Sequence, residues 1–318
     1  MRVMIRLGRR RFLSLIAAPA AFALPAVAGT SPPVVRWDGT ALGARASLVM
    51  GGVDAARGRR LLGHVLGEID RLERIFSLHR ADSALSLLNR RGRLAAPPHE
   101  LVDVLAEAGR IHRLSGSAFD VTVQPLWRLH ARHFARPDAP AAGPSAAAIA
   151  EARERTGFEQ VEIAPDEIRF ARPDMAITLN GIAQGTVTDR IADLLRGEGL
   201  DHVLVDLGEM AALGPHPAGR PWSIGTGGEG RLDLQNAAVA TTDPRGTTFD
   251  AAGRHHHLLD PRTGRSSGHA RRVTVVAPRA SLADALSTAL AVMPPEEAGR
   301  VRRRLDGPVR ILDAAAHF

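Results

Sequence analysis

The sequence predicts an α+β fold in which a sheet and several helices share one domain. Two observations support this prediction. Amphipathic helical patterns dominate the first part of the chain, whereas from Val161 onward short apolar strands mix with helices without a strict βαβ rhythm. The chain is 45% hydrophobic, and about 290 residues follow the N-terminal leader. They suffice for one large domain or two closely joined lobes.

Residues 1–28 are predicted to be an export signal. The first 11 residues contain five arginines and no acidic residue, and residues 12–28 carry no charge. That apolar run is short for a membrane span and contains two prolines, and it ends in Ala26-Val27-Ala28, a small-x-small cleavage pattern. Residues 9–13, Arg-Arg-Arg-Phe-Leu, fit the twin-arginine pattern, and an ordinary secretory signal is the alternative. Residues 29–318 then form the folded domain, with no stable membrane span in the mature chain.

The charge balance of the mature chain argues against nucleic-acid binding. Removing the five leader arginines from 41 basic residues leaves 36 against 34 acidic residues, a net charge of +2. The chain contains no cysteine, which excludes disulfides, thiolate metal sites and a cysteine nucleophile.

The first part of the chain is predicted to begin with a hairpin and continue with helices. Val34 and Ala44 begin the two strands of the hairpin, and a stripe of Leu, Val, Ile and Phe residues marks the first long helix. The predicted strands are 34–37 and 44–50, and the predicted helices are 54–77, 83–89 and 100–114. Residues 136–145, rich in Pro, Ala and Gly, are predicted to be a loop and a variable insertion.

The second part is predicted to mix strands with helices. The predicted strands are 161–163, 168–171, 176–179, 203–206, 223–225, 238–241, 273–277 and 309–312. The predicted helices are 186–197, 282–292 and 295–305.

Two distant segments suggest a metal-assisted site for a phosphate-bearing cofactor. Residues 178–185, Thr-Leu-Asn-Gly-Ile-Ala-Gln-Gly, read as a strand and a glycine-bracketed turn that opens a helix, where backbone amides bind anions. Asp284 and Thr288 lie four residues apart on one helical face, and such hard oxygen ligands suit Mg²⁺. The alternatives are an ordinary strand–turn–helix connection and a helix cap at Asp284.

Two further segments contain candidate site residues. In His255-His256-His257 only alternate side chains of an extended strand share a face, so we expect one functional histidine with one or two exposed neighbours. Asp260-Pro261-Arg262-Thr263-Gly264 is predicted to be a turn. Residues 116–122, Gly-Ser-Ala-Phe-Asp-Val-Thr, place an aromatic ring and a carboxylate after a helix, where Phe119 alternatively serves only as a core anchor.

Together these segments resemble the ApbE family of FAD:protein FMN transferases, over nearly all of the mature chain. The matching motifs occur in the family's order, and they are residues 40–44, 76–79 with 82–83 and 88–89, 116–122 with 125–126, 179–185 with Asp189, 205–208, 259–264, and 273–278 with 283–288. The resemblance implies a single compact α+β domain, related to T-fold proteins, with a mixed and largely antiparallel sheet flanked by helices.

The resemblance also implies an activity and a site. The family transfers FMN from FAD to a Thr or Ser hydroxyl of a partner flavoprotein, with Mg²⁺, and AMP leaves. Carried over by position, the Gly181 carbonyl, Asp284 and Thr288 are the metal ligands, with Ser287 as a possible extra ligand. The residues expected to contact FAD are Leu42, His79, Ala118, Phe119, Asp120, Thr178, Gln184 and the strand 257–259, which includes Leu259. His257 is the candidate for orienting or deprotonating the incoming hydroxyl, and a phosphate-contacting or structural histidine is the alternative.

Departures from the family pattern favour one branch. Thr178, Asn180 and Gln184 replace the usual Asp, Gly and Lys, and Glu209 replaces a Gly. These variants resemble the NosX branch, which is exported and tied to flavinylation of the membrane flavoprotein NosR in nitrous oxide respiration. The expected acceptor is therefore a periplasmic, NosR-like FMN-binding domain. Two alternatives remain open: an FAD pyrophosphatase, and a periplasmic FAD-binding or delivery protein that has lost its chemistry.

Overall fold

The structure is a computed structural model that describes residues 33–41, 43–225 and 230–313. The predicted signal, residues 1–28, and Leu42 lie outside the described residues. Among the described residues, no helix combines the length and the apolar character that crossing a membrane requires.

The N-terminal part folds as a hairpin followed by a long helix, as predicted. Strands β1 (Val34–Ala41) and β2 (Ala44–Gly51) pair antiparallel, with Val34 opposite Gly51. Helix α1 (Ala55–Phe76) begins after Asp54, whose carboxylate accepts hydrogen bonds from the amides of Ala56 and Arg57. Such a cap satisfies amides that have no partner inside the helix.

The remaining elements alternate irregularly along the chain. The helices are α2 (Ala84–Arg91), α3 (His99–Leu114), α4 (Gln124–Phe134), α5 (Ala146–Glu154), α6 (Ala183–Gly197), α7 (Ala280–Val292) and α8 (Pro295–Arg302). The strands are β3 (Arg93–Ala95), β4 (Val161–Ile163), β5 (Glu167–Phe170), β6 (Val203–Asp206), β7 (Met210–Leu213), β8 (Trp222–Gly225), β9 (Arg231–Leu234), β10 (Ala237–Thr242), β11 (Leu259–Asp260), β12 (Arg265–Ser266), β13 (Val273–Ala277) and β14 (Arg310–Asp313).

A seven-stranded sheet organises the domain. Its strand order is β1-β2-β6-β7-β10-β13-β14, and each described neighbouring pair is antiparallel. The predicted α+β class with a largely antiparallel sheet is therefore confirmed. Strands β3, β5 and β4 form a smaller sheet, and β8–β9 and β11–β12 are two-stranded hairpins.

The large sheet buries both of its faces, because successive side chains of a strand point to opposite sides. On β10, Ala238 and Ala240 belong to the main core, which also includes buried residues of α1, α6 and α7. Val239, between them, points to the other face, where Trp222 and Leu234 of the β8–β9 hairpin cover the sheet. The helices thus lie on one face of the sheet, and the site is built where two of them meet.

Most predicted elements are present, whereas helices α4 and α5 and several strands of two to four residues were missed. Strands β7 and β9 have only four residues each, so they show little periodicity. Helix α5 is rich in alanine, so its sequence shows little apolar periodicity. The loop predicted at 136–145 is observed between α4 and α5.

Two aspartates join α6 and α7 reciprocally. Asp189 of α6 accepts hydrogen bonds from the amides of Ala280 and Ser281 at the start of α7, at 2.7 and 2.9 Å. Asp284 of α7 accepts a hydrogen bond from the amide of Gly185 in the first turn of α6, at 3.1 Å. Each helix therefore satisfies terminal amides of the other, which fixes where the two N-terminal turns cross.

The crossing requires a glycine at position 185. A Cβ atom built on Gly185 would lie 2.3 Å from the carbonyl oxygen of Ala280, which is backbone and not a flexible side chain. Burial raises the pKa of Asp189, whereas the two amides and the guanidinium of Arg279 favour its ionised form. The α6–α7 junction is thus close-packed and contains a buried, fully hydrogen-bonded carboxylate.

The junction predicts a stability effect for Asp189→Ala. The substitution leaves two buried amides at the start of α7 without their acceptor, so we expect the free energy of unfolding to fall by about 1–3 kcal/mol. The measurement is equilibrium urea unfolding of the purified protein.

Asp193→Ala is the matched control for this experiment. Asp193 lies one turn further along α6 and also pairs with Arg279, but its side chain is 38% exposed. An exposed ion pair contributes less than about 1 kcal/mol, so this variant is expected to unfold near the wild-type midpoint. Equal losses for the two variants would contradict the capping role of Asp189.

The surroundings of His130 on α4 favour its neutral form. Its Nε2 atom lies 2.9 Å from the carbonyl oxygen of Gly264 and therefore donates a proton to it. The Nδ1 atom is buried and has no hydrogen-bond partner among the described residues. Burial, and secondarily the nearby His255, His133 and Arg265, lower the pKa of His130 despite the bond to Gly264, because a second proton would create an unpaired buried charge.

This arrangement predicts that the protein loses stability in mild acid. The unfolded chain binds a proton at the ordinary histidine pKa, near 6.5, whereas the folded chain binds it only at lower pH. The free energy of unfolding should therefore decrease as the pH falls from 7.5 through 6.5, and His130→Gln should weaken this dependence. Urea midpoints at pH 7.5 and 5.5 test it, with the exposed His64→Gln as the control. An unchanged pH dependence in His130→Gln would refute the assignment.

Candidate active site

The three predicted metal ligands come together at the α6–α7 junction. Asp284 and Thr288 lie one turn apart on α7, and Gly181 lies in the turn that precedes α6. A Cβ atom built on Gly181 would lie 3.0 Å from Oγ1 of Thr288. Asp284 is bonded to Gly185, which lies 99 residues away in the sequence. The two motifs predicted from the sequence therefore form a single site.

A chain of hydroxyl groups orients Thr288. Ser287 donates its proton to the carbonyl of Asp284, at 2.9 Å, so it accepts from Thr242, at 2.7 Å. Because the single proton of Thr242 is used there, Thr288 donates to Thr242 across 3.3 Å. The lone pairs of Thr288 then remain available to a cation. Ser287 is fully buried, and its hydroxyl group already donates one hydrogen bond and accepts another. Thr242 is a site residue that the sequence reasoning did not assign.

This donor set fits a magnesium ion. It has one buried carboxylate, one hydroxyl and one backbone carbonyl, which are hard oxygen ligands. Across the described residues, no group of three or more His, Cys, Asp and Glu side chains is placed to hold a metal. A set with a single carboxylate suits Mg²⁺, which keeps several waters or substrate phosphate oxygens in its coordination sphere.

The loop after α3 forms one wall of the site. Phe119 is buried, and its Cε2 atom lies 3.3 Å from the Cβ position of Gly181. The Phe119 amide donates to Oγ of Ser115 at 3.0 Å, and the neighbouring Ala118 is also buried. The loop is thereby fixed against the turn that contains Gly181.

Asp120 holds this loop through its carboxylate. One oxygen accepts hydrogen bonds from the amide and hydroxyl of Thr122, at 2.8 and 2.6 Å, and the other accepts from the amide of Phe158 at 3.1 Å. Burial raises the pKa of Asp120, although these bonds and His112 nearby favour its ionised form. These contacts give Asp120 a clear structural role, and its contact with FAD stays a prediction.

The segment before Gly181 is not part of a helix or a strand, so the strand predicted at 176–179 is wrong. The side-chain amide of Asn89 binds both backbone groups of Ile177, at 2.7 and 2.8 Å. The amide of Thr178 donates to the carbonyl of Val121 at 2.8 Å. A side chain and a loop therefore satisfy backbone groups that a neighbouring strand would otherwise satisfy, and they place Thr178 beside the loop of Phe119.

Gln184 lies in the first turn of α6, against the β6–β7 turn. Its Nε2 atom is 3.5 Å from the carbonyl oxygen of Leu207. Gly208 has a φ of +106°, and a Cβ atom there would lie 2.4 Å from Nε2 of Gln184. Helix α6 was predicted to begin at 186, but it begins at Ala183, so Gln184 is part of the helix N-terminus.

His79 lines a pocket of about 320 Å³ between α2, α4 and the turn at 78–81. Asn89, whose amide holds Ile177, is a wall of the same pocket, together with Arg90 of α2 and Arg128 of α4. We call it the arginine pocket. Because Ile177 is four residues from Gly181, the pocket and the metal ligands are linked by at most about 14 Å of extended chain.

His257 lies just before β11, and Leu259 is the first residue of that strand. The Nδ1 atom of His257 is 2.9 Å from the carbonyl oxygen of Thr247, which follows Thr242 by five residues. Leu259 packs in a separate small apolar cluster with Leu126 and Ile149. These contacts place both residues relative to the 247 loop and α4, and their contacts with a ligand stay predictions. Leu42 lies outside the described residues.

The other two histidines of the triplet have packing roles. His256 is buried, and His255 packs on Phe134 with ring centroids 4.7 Å apart and places its Nε2 atom 3.1 Å from the carbonyl oxygen of Ala141. The expectation of exposed neighbours for His257 is therefore wrong. The small strands around the triplet fold back on α4, which buries side chains that an isolated strand would expose.

Comparison with known proteins places the chain in a family. The sequence model of the ApbE family matches residues 42–312. The chain is 30% identical over 285 residues to a FAD:protein FMN transferase of Klebsiella pneumoniae strain 342, covering 84% of this chain and 80% of that protein. It is 29% identical over 272 residues to the FAD:protein FMN transferase of Escherichia coli K12, covering 80% and 76%.

Solved structures agree with the sequence comparison. The flavin transferase ApbE of Vibrio cholerae superposes with a TM-score of 0.76 at 25% identity, covering 89% of this chain and 93% of that one. The flavinyl transferase ApbE of Pseudomonas stutzeri, in its apo form, superposes with a TM-score of 0.75 at 26% identity, covering 89% and 94%. Fold and site thus define a compact α+β protein of the flavin-transferase type. The chain belongs to the ApbE family.

Proposed function

We propose that this protein is a Mg²⁺-dependent FAD:protein FMN transferase that is exported to the periplasm. The observation that supports it most directly is the convergence of Gly181, Asp284 and Thr288 where the N-terminus of α6 packs against α7. A helix N-terminus favours a bound anion, and a hard cation held by these ligands would neutralise a pyrophosphate. The family's relatives bear the name of this activity.

In the proposed reaction, a hydroxyl oxygen of the acceptor protein attacks the FMN-side phosphorus of FAD. A new phosphoester bond forms, the bond to the bridging oxygen breaks, and AMP leaves with that oxygen. Mg²⁺, when bound, would offset the charge that develops on the phosphate oxygens. Asp284 would supply the negative ligand, and the Gly181 carbonyl and Thr288 hydroxyl the neutral ones, so most of the catalysis is positioning and charge stabilisation.

The hydroxyl proton of the acceptor needs a destination. His257 is our candidate, because the contact of its Nδ1 atom with the Thr247 carbonyl, at 2.9 Å, holds the ring of a residue type suited to proton transfer. A phosphate contact by His257 is the alternative role. No nucleophile from this chain is required, since the acceptor provides it.

The location and the acceptor are further parts of the proposal. The arginine-rich leader, with its twin-arginine pattern and small-x-small ending, supports export of a folded protein to the periplasm. Asn180, Gln184 and Glu209 support the NosX-like branch, whose acceptor would be a NosR-like FMN-binding domain of nitrous oxide respiration.

The decisive variant is Asp284→Asn. An amide keeps an acceptor for the Gly185 amide but removes the charge of the metal ligand, so we expect transfer to fall by at least about 100-fold. The measurement mixes the protein with FAD, Mg²⁺ and a NosR-type domain, follows fluorescence of the acceptor band on a denaturing gel, and assays AMP in parallel. Asp193→Asn, an exposed aspartate of α6, is the control and should retain full transfer.

The outcomes separate the three candidate functions. A fluorescent acceptor with equimolar AMP, lost with EDTA and in Asp284→Asn, supports the transferase. AMP and free FMN without labelling of the acceptor would show an FAD pyrophosphatase instead. Tight FAD binding without AMP, unaffected by Asp284→Asn, would leave a flavin-binding or delivery protein and overturn the proposal.

A further inference from the structure

The arginine pocket holds a cation that the fold itself does not neutralise. Arg128 lines the pocket, yet it forms no hydrogen bond or ion pair with any other residue that the structure describes. Burial lowers the pKa of its guanidinium, and Arg132, one turn along α4, lowers it further. Maintaining a half-buried, unpaired charge costs free energy, so it is expected where a ligand supplies the partner.

The rest of the pocket is rich in donors and has no carboxylate. Arg90 donates one proton to the carbonyl of Ala81, at 2.7 Å, and retains other N–H groups. Both polar atoms of the Asn89 amide are engaged by Ile177, and Ser86 donates to the carbonyl of Ser77. The groups left for a ligand are therefore mainly guanidinium N–H donors from two different helices.

Such a lining selects a ligand group that accepts hydrogen bonds and bears negative charge. A guanidinium binds two neighbouring acceptors in one plane, which phosphates and the edges of planar heterocycles both provide. The volume of about 320 Å³ is at the lower end of small-molecule sites, so it holds part of a dinucleotide and not the whole. The short chain connection from Ile177 to Gly181 allows one bound FAD to reach both the pocket and the metal ligands.

We propose that Arg128 is a specificity-determining residue that binds an acceptor-rich group of the flavin nucleotide in the arginine pocket, with Arg90 as its second cation. The proposal rests on the proposed flavin transferase function. The group is either a phosphate or the pyrimidine edge of the isoalloxazine ring, which share this chemistry. Arg128 is placed to bind and orient the nucleotide, and it takes no part in proton transfer.

The test measures binding without turnover. Fluorescence titrations of the full, purified protein with FAD, FMN and riboflavin are carried out in EDTA for wild type, Arg128→Gln and Arg132→Gln. We expect Arg128→Gln to weaken FAD binding by about 10-fold to 100-fold, the loss typical of a charge-assisted hydrogen bond. Arg132 lies on the same helix but is exposed and does not line the pocket, so Arg132→Gln should change the dissociation constant less than about twofold.

The three ligands identify the group that Arg128 binds. A loss confined to FMN and FAD indicates a phosphate, whereas an equal loss with riboflavin indicates the edge of the ring. Arg128→Lys, which keeps the charge but not the planar pair of donors, should bind FAD with intermediate affinity. Thermal unfolding of each variant shows whether it is folded, and Arg128→Lys replaces Arg128→Gln if the latter is not.

The results also distinguish this proposal from the proposed function. Equal FAD affinity in wild type and the folded Arg128 variants would overturn the pocket assignment, even if the acceptor becomes labelled. Weakened FAD binding in Arg128→Gln without any labelling of an acceptor would support the pocket and count against the transferase. A wild-type protein that binds no flavin would overturn both.

Discussion

The site depends on the reciprocal capping of α6 and α7. Asp189 satisfies the first amides of α7, and Asp284 satisfies an amide in the first turn of α6. Because Gly185 has no Cβ atom, the two helices approach closely enough for both sets of bonds to form. This arrangement brings Gly181, which precedes the N-terminus of α6, close to Thr288 on α7. The same contact that stabilises the core therefore positions the candidate metal ligands.

Asp284 serves both the fold and the proposed chemistry. One of its oxygens accepts from Gly185, which fixes the carboxylate, and a carboxylate fixed in this way needs little reorganisation to bind a cation. The hydrogen bonds from Ser287 through Thr242 likewise fix the orientation of the Thr288 hydroxyl group. Preorganisation of this kind explains how a set with only one carboxylate can provide a site for a hard metal ion.

A buried and a half-buried polar side chain, each with several hydrogen-bond partners, hold the segments around this junction. Asp120 ties the loop of Phe119 to Phe158, and Asn89 ties the segment of Thr178 to α2. Each makes more than one hydrogen bond to backbone groups, so each compensates for its own burial. Arg128 differs from both, since no described residue compensates for its charge. This contrast distinguishes a polar group that builds the fold from one that is suited to a ligand.

The sequence by itself determined the fold class, most long elements and the candidate metal ligands. Helix α1 and the hairpin were predictable because periodic burial and the cap at Asp54 are local properties. The metal set followed from motifs whose order resembles a family. The NosX-like branch, the acceptor protein and the export route are predictions that rest on sequence motifs alone.

Only the tertiary structure decided how distant groups are partnered. The segment 176–179 has the composition of a strand, yet Asn89, 88 residues away, satisfies Ile177 in place of a neighbouring strand. The structural roles of Asp189 and Thr242 depend on atoms 91 and 45 residues away. That no described residue pairs with Arg128 is equally invisible in the sequence, because whether a charge is neutralised depends on which side chains the fold brings within hydrogen-bond distance.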